Sequence, residues 1–197
     1  MSVFLAIDLS AEVREQLAGL IETHRASREA KWLRPDKLHL TLVFLGNPKP
    51  PRIDELRPLI DRLALGRAPF SLRLRGAGVF VTRRAPSVLW LGVEGDVATL
   101  RALQAEAAAT LGDEPREYAP HVTLGRAHED GGFDGIRDAL AHFESAPFAV
   151  RHLTLYESTH HQYHVLHRAD FDASVGVGHG DDRDRRVGAH ADEPQVE

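Results

Sequence analysis

The 197-residue sequence predicts an α+β fold with mainly antiparallel sheets, on three observations. Helix-period and strand-period segments alternate, yet several strand patterns follow one another directly, as antiparallel sheets allow and a doubly wound parallel sheet does not. One strand device occurs twice: His39-Leu40-Thr41-Leu42-Val43-Phe44-Leu45-Gly46 and, 82 positions later, His121-Val122-Thr123-Leu124-Gly125-Arg126. Apolar patterning then stops near residue 171.

The first strand is Val3-Phe4-Leu5-Ala6-Ile7-Asp8-Leu9, an almost unbroken apolar run of the buried kind. Ser10 is an N-cap with Glu12 in the first turn, and Val13, Leu17, Leu20 and Ile21 recur at helical spacing. Lys31-Trp32-Leu33-Arg34 is a short strand ended by Pro35, whose ring biases Arg34 away from helix. In the strand that follows, His39 and Thr41 share one face while Leu38, Leu40, Leu42 and Phe44 share the other.

Asn47-Pro48-Lys49-Pro50-Pro51 cannot continue a sheet. Ile53, Leu56, Leu59, Ile60 and Leu63 have the helix period. Phe70 to Arg75 alternates cleanly, and Ser87 to Val93 is a more buried strand. A helix over about Val97 to Leu111 stops at Gly112. Tyr118-Ala119-Pro120 leads into the second histidine strand, a short helix covers about Ile136 to Phe143, and Phe148–Tyr156 and Tyr163–Phe171 are closing strands. Residues 1–171 therefore form one domain, and 172–197, nearly devoid of apolar residues, are expected to be a disordered polar tail.

Composition excludes several classes. There is no cysteine, hence no disulfide and no thiolate chemistry. No apolar run reaches the 18 or so residues a membrane span needs, and no basic region opens the chain, so a cytoplasmic protein without a membrane partner is expected. The net charge of −5 argues against tight binding to long duplex nucleic acid, which rests on many phosphate contacts. A small or single-stranded phosphorylated ligand stays open.

The 12 histidines and 8 threonines would by chance give fewer than one His-x-Thr triplet, and the chain has three. The third is His152-Leu153-Thr154. Each on its own reads equally as a strand with a solvated face, and spacing does not choose the active pair.

With Phe4-Leu5-Ala6-Ile7-Asp8, Trp32 and Pro35 before His39-Leu40-Thr41-Leu42, Pro120-His121-Val122-Thr123-Leu124 with Arg126, and Leu155-Tyr156-Glu157-Ser158, the sequence resembles the two-histidine phosphoesterase superfamily. Within it, the chain is most similar to bacterial RNA 2′,3′-cyclic phosphodiesterases, also called 2′-5′ RNA ligases. The resemblance covers about residues 3 to 171. It implies a bilobal fold: two pseudo-symmetric lobes with mainly antiparallel sheets around a central cleft, each giving a histidine and a threonine. It selects His39 and His121 as catalytic residues and sets His152 aside. Thr159-His160-His161-Gln162 departs from the glycine-rich or basic turn of many similar proteins.

The resemblance further implies hydrolysis of an RNA 2′,3′-cyclic phosphate end, or of a small cyclic nucleotide, to a 2′-phosphate. Weak reverse 2′-5′ ligation accompanies it, and no cofactor, metal or obligate protein partner is expected of what would be a monomer. Histidine suits both proton transfers because its reference pKa of about 6.5 populates both forms near neutrality. Thr41 and Thr123 would donate to the phosphate oxygens. By analogy His39 is the acid and His121 the base, roles that can be exchanged.

Arg126 would add a fixed charge if a bulge at Gly125 turned it inward, the alternative being a surface arginine. Phe44 would stack a base or pack in the core; Trp32 is equally ambiguous. Arg73 and Arg75 either line an RNA path or form a solvated face. Rival readings are 2′-5′ oligoadenylate or ADP-ribose cyclic phosphate substrates, a non-catalytic RNA-binding module, and a metal site in the His160–His167 cluster with Asp170.

Overall fold

The computed structural model describes residues 2–26, 30–81, 86–113, 117–127, 133–159 and 162–172. In chain order its elements are β1 (Ser2–Asp8), α1 (Ala11–His24), β2 (Ala30–Trp32), a 3-10 turn (Pro35–Lys37), β3 (His39–Gly46), α2 (Pro50–Ala64), β4 (Phe70–Phe80) and β5 (Val88–Gly95). There follow α3 (Val97–Leu111), β6 (His121–Ala127), α4 (Asp134–Ala139), β7 (Phe148–Val150), β8 (His152–Thr159) and β9 (Gln162–Asp170).

The predicted caps are present: Ser10 Oγ accepts from the Val13 amide at 3.2 Å, and Gly112 ends α3 at φ 80°, a conformation open to glycine without strain. Pro50 and Pro51 form the first turn of α2, where missing amide protons cost nothing. The helix near residue 136 starts earlier and is shorter than expected. The apolar run Phe148 to Tyr156 is two strands. β7 pairs with β4, whereas β8 pairs with β1 at the other side of the sheet, the chain crossing over at Arg151.

All strands belong to one antiparallel sheet in the order β7-β4-β5-β6-β3-β1-β8-β9, with β2 beside β6. Its two halves, β7-β4-β5-β6 with β2 and β3-β1-β8-β9, meet at their histidine strands. They join through one registered pair, Leu40 with Val122. Beyond it the halves part, and other groups take up the freed backbone positions. Tyr118 Oη donates to Thr41 O at 3.0 Å, Gln104 Nε2 to Leu42 O at 3.4 Å, and the Leu33 amide to Leu124 O at 2.8 Å. The parted faces are the cleft.

The helices cross between halves. α3 follows β5 but packs on β3 and α2, and Arg52 of α2 reaches Leu111 O at 3.0 Å. On α1, which follows β1, Gln16 accepts from the Ala146 amide of the other half at 2.9 Å. Leu5, Leu17, Leu40, Leu56, Leu89 and Val122 lie in one buried cluster. Among the described residues no helix is long and apolar enough to cross a membrane.

Candidate active site

The antiparallel Leu40–Val122 pair, continued one residue each way, sets His39 across from Thr123 and Thr41 across from His121. The two triplets therefore interleave around a local pseudo-two-fold at this pair, and within β3 the Thr41 hydroxyl reaches His39 of its own triplet.

Backbone carbonyls orient both rings in the same manner. His39 Nδ1 lies 2.7 Å from Lys37 O and His121 Nδ1 lies 2.7 Å from Ala119 O. A carbonyl only accepts, so each Nδ1 carries a proton and each Nε2 is left for chemistry. With Nδ1 protonated, a neutral His39 ring offers Nε2 as acceptor to the Thr41 hydroxyl 3.0 Å away. Aromatic rings flank both histidines. Phe4 stacks on His39 with centroids 4.7 Å apart, and Tyr163 meets its edge at 5.5 Å. Phe80 meets His121 edge-on at 4.9 Å, with Trp90 at 6.2 Å. Burial pushes the His39 pKa below its usual value; the Lys37 carbonyl and Asp8 charge oppose this but do not overcome it.

Both histidine strands carry the same irregularity. Between β3 and β1 the register passes from Thr41–Ala6 to Val43–Leu5, leaving Leu42 as an extra residue. Between β6 and β5 it passes from Thr123–Trp90 to Gly125–Leu89, leaving Leu124 as the extra one. A bulge reverses the alternation beyond it. Phe44 is consequently on the open face, 52% exposed, and does not share the Leu42 face as strict period two predicts. Arg126 is exposed at the corresponding place in β6, turned by the bulge expected at Gly125.

Phe44, Phe80, Leu42, Tyr118, Thr41 and His121 line a cavity of about 520 Å³, with Gln104, Asp113 and Glu117 also on its wall. At the other end of the cleft Arg126 stands beside Lys31 across the β2–β6 pair, and the Lys37 ammonium lies 5.3 Å from the Tyr163 ring centre. The cleft thus has an aromatic end with carboxylates near His121 and a basic end near His39.

The other candidates fall elsewhere. Arg73 and Arg75 are held by Glu94 and Glu144, with contacts such as Arg73–Glu144 at 2.9 Å and Arg73–Glu94 at 3.0 Å, so these four residues form a neutralised surface lattice. Those arginine bonds hold the Glu94 carboxyl below the usual range. His152 contacts Asp8 outside the histidine pair. Trp32 packs against the core. Of the histidine cluster, His160 and His161 lie outside the described residues, as do residues 173–197 of the expected tail. His167 bonds Asp61 at 2.6 Å, and among the described residues no group of three side chains could hold a metal. Phe80, Trp90 and Tyr163 are site residues that sequence reasoning misses, because a lone aromatic in a strand has no mark that separates cleft from core.

Residues 12–162 match a family model described as the 2′-5′ RNA ligase superfamily. A Thermotoga maritima protein named RNA 2′,3′-cyclic phosphodiesterase is 31% identical over 186 residues, covering 89% of this chain and 98% of its own. An Escherichia coli protein of the same name is 32% identical over 169 residues, covering 80% of this chain and 86% of its own. The solved structure of E. coli LigT complexed with 3′-AMP is similar with a TM-score of 0.69 at 27% identity, over 86% of this chain and 97% of LigT.

Proposed function

The chain belongs to the 2′-5′ RNA ligase superfamily, and from that membership and the cleft we propose that it is a metal-independent RNA 2′,3′-cyclic phosphodiesterase yielding 2′-phosphomonoesters. The observation that carries this is the interleaving of two carbonyl-oriented histidines and two threonines about the single Leu40–Val122 pair. We further take residues 1–171 as one catalytic domain, a cytoplasmic monomer whose substrate is an RNA end or a small cyclic nucleotide, with weak reverse 2′-5′ ligation.

Water attacks phosphorus, the bond to O3′ breaks, and the phosphate remains on O2′. One Nε2 takes the water proton and the other, protonated, gives its proton to O3′. Two observations favour His39 as base and His121 as acid, the reverse of the roles drawn by analogy. Burial pushes the His39 pKa below its usual value, which favours the neutral, proton-accepting form. The aromatic cavity that suits a nucleoside is lined by His121, which brings the leaving ribose oxygen to that ring and in-line water to the opposite side. Thr41 and Thr123 donate to the non-bridging oxygens, Arg126 adds charge, and Phe44 stacks the base.

The test is incubation, in excess EDTA, with a short RNA ending in a 2′,3′-cyclic phosphate, beside His39→Ala and His121→Ala. Wild type gives the 2′-phosphate, and each variant is slower by about 100- to 10,000-fold. An intact RNA with wild type, or turnover only after metal is added, overturns the proposal.

A further inference from the structure

The third His-x-Thr triplet is unused by this chemistry, yet it converges on one atom group beside the site. Asp8 ends β1, and its cross-strand partner on one side is His39. On the other side runs β8. Asp8 Oδ2 accepts from Thr154 Oγ1 at 2.8 Å and from His152 Nε2 at 2.9 Å. Asp8 Oδ1 accepts from Tyr156 Oη at 2.6 Å and, at 3.4 Å, from Arg14 Nη2.

Arg168 Nη2 lies 3.0 Å from His152 Nδ1. A guanidinium has no acceptor, so Nδ1 accepts from Arg168 and Nε2–H donates to Asp8. Thr154 is 1% exposed, and a hydroxyl so placed is normally committed to a partner. Burial works against ionisation of Asp8, but bonds from His152, Tyr156 and Thr154 outweigh it and hold the carboxyl well below its usual pKa.

We infer that Asp8, fixed as a carboxylate by the third triplet, is a positioning residue for His39: an anion on the adjoining strand that favours the imidazolium formed when His39 takes the water proton. His39 is also faced by Arg14 from α1 and His121 from β6, which oppose that form. Tyr156 of β8, Tyr163 of β9 and the Lys37 carbonyl complete its surroundings. The link to turnover rests on the function proposed above; the effect on the His39 ring does not.

The test uses the full chain as wild type, Asp8→Asn and His152→Gln, with two readouts. One is the NMR titration of the His39 imidazole, assigned by its loss in His39→Gln. The other is the pH profile of kcat/KM on the cyclic-phosphate RNA. In Asp8→Asn both the ring's midpoint and the acidic limb move to lower pH. In His152→Gln, whose amide still donates to Asp8, both stay in place. Asp8→Ser serves the same readout if the fold does not tolerate the amide. An unmoved His39 titration in the Asp8 variant overturns the inference, as does loss of turnover in folded His152→Gln, which would put His152 in the chemistry. Inactive wild type whose His39 titration still depends on Asp8 would instead sink the proposed function alone.

Discussion

Phe44 and Arg126 occupy the same place in the two histidine strands, each five residues after its histidine and just beyond one extra residue in the ladder. The pseudo-two-fold thus relates an aromatic ring at one end of the cleft to a cation at the other. A nucleoside cyclic phosphate carries a flat base at one end and its anionic phosphate at the other, so these unlike ends of the cleft favour one direction of binding. Fixed orientation is what gives two similar histidines different roles.

Phe44→Ala raises KM by about 5- to 150-fold, since stacking of one base is worth ~1–3 kcal/mol. Because the ring is 52% exposed, its loss leaves the melting temperature nearly unchanged. Steady-state kinetics beside a thermal melt check both; an unchanged KM removes Phe44 from the binding site.

Arg126→Gln raises KM by about 10- to 100-fold, the range for a hydrogen bond from a charged donor. Arg73→Gln and Arg75→Gln leave KM alone, because Glu94 and Glu144 already neutralise those side chains. A KM rise in the Arg75 variant as large as in the Arg126 variant would restore the β4 arginines to an RNA path.

With His39 as base, kcat/KM rises with pH through the titration of His39, at a midpoint below the ordinary histidine value because burial disfavours its charged form. His39→Gln retains a small activity that lacks this acidic limb, whereas His121→Gln loses the alkaline limb. Measuring the two profiles on one substrate decides the assignment; the opposite pattern returns the acid role to His39.

Acid stability carries the signature of Asp8. Its carboxyl titrates lower in the folded than in the unfolded chain, so the unfolded state binds a proton first as pH falls. The resulting stability is fully present above the ordinary carboxylate range and is lost as pH drops below about 4. Asp8→Asn lowers stability at pH 7 and flattens the acid side of the curve, as denaturant unfolding at several pH values reads. Parallel curves for both proteins would show that Asp8 contributes nothing through its charge.

The histidine pair and the antiparallel strands are legible in the sequence because period two, repeated flanks and helix caps are local properties. The extra residues Leu42 and Leu124 are not. They and their neighbours Val43 and Gly125 are all buried, so the hydrophobic pattern has no mark where the alternation reverses. Only the ladder with β1 and β5 reveals it, and strict period two puts Phe44 on the wrong face for that reason. The run from Phe148 to Tyr156 hides a change of partner at Arg151 in the same way. Arg73 and Arg75 stay ambiguous in the sequence because their acidic partners come from another strand and a loop, contacts that no local window contains.

Gly78 is the place where the strand behind His121 has no room. A Cβ there would lie 2.1 Å from Trp90 Cζ2 and 2.4 Å from its Cη2, atoms of the indole's six-membered ring. Gly78→Ala therefore forces Trp90 to move, at a cost of about 1–3 kcal/mol for overpacking. Since Trp90 and Phe80 flank His121, activity falls with stability. Trp90→Phe withdraws the clashing atoms together with a buried N–H that has no partner among the described residues. The double variant should then be more stable than the sum of its single changes predicts, a coupling that a double-mutant cycle isolates. Additive costs would mean that a shift of β4 accommodates the added methyl, and that Trp90 does not hold the His121 side of the cleft in place.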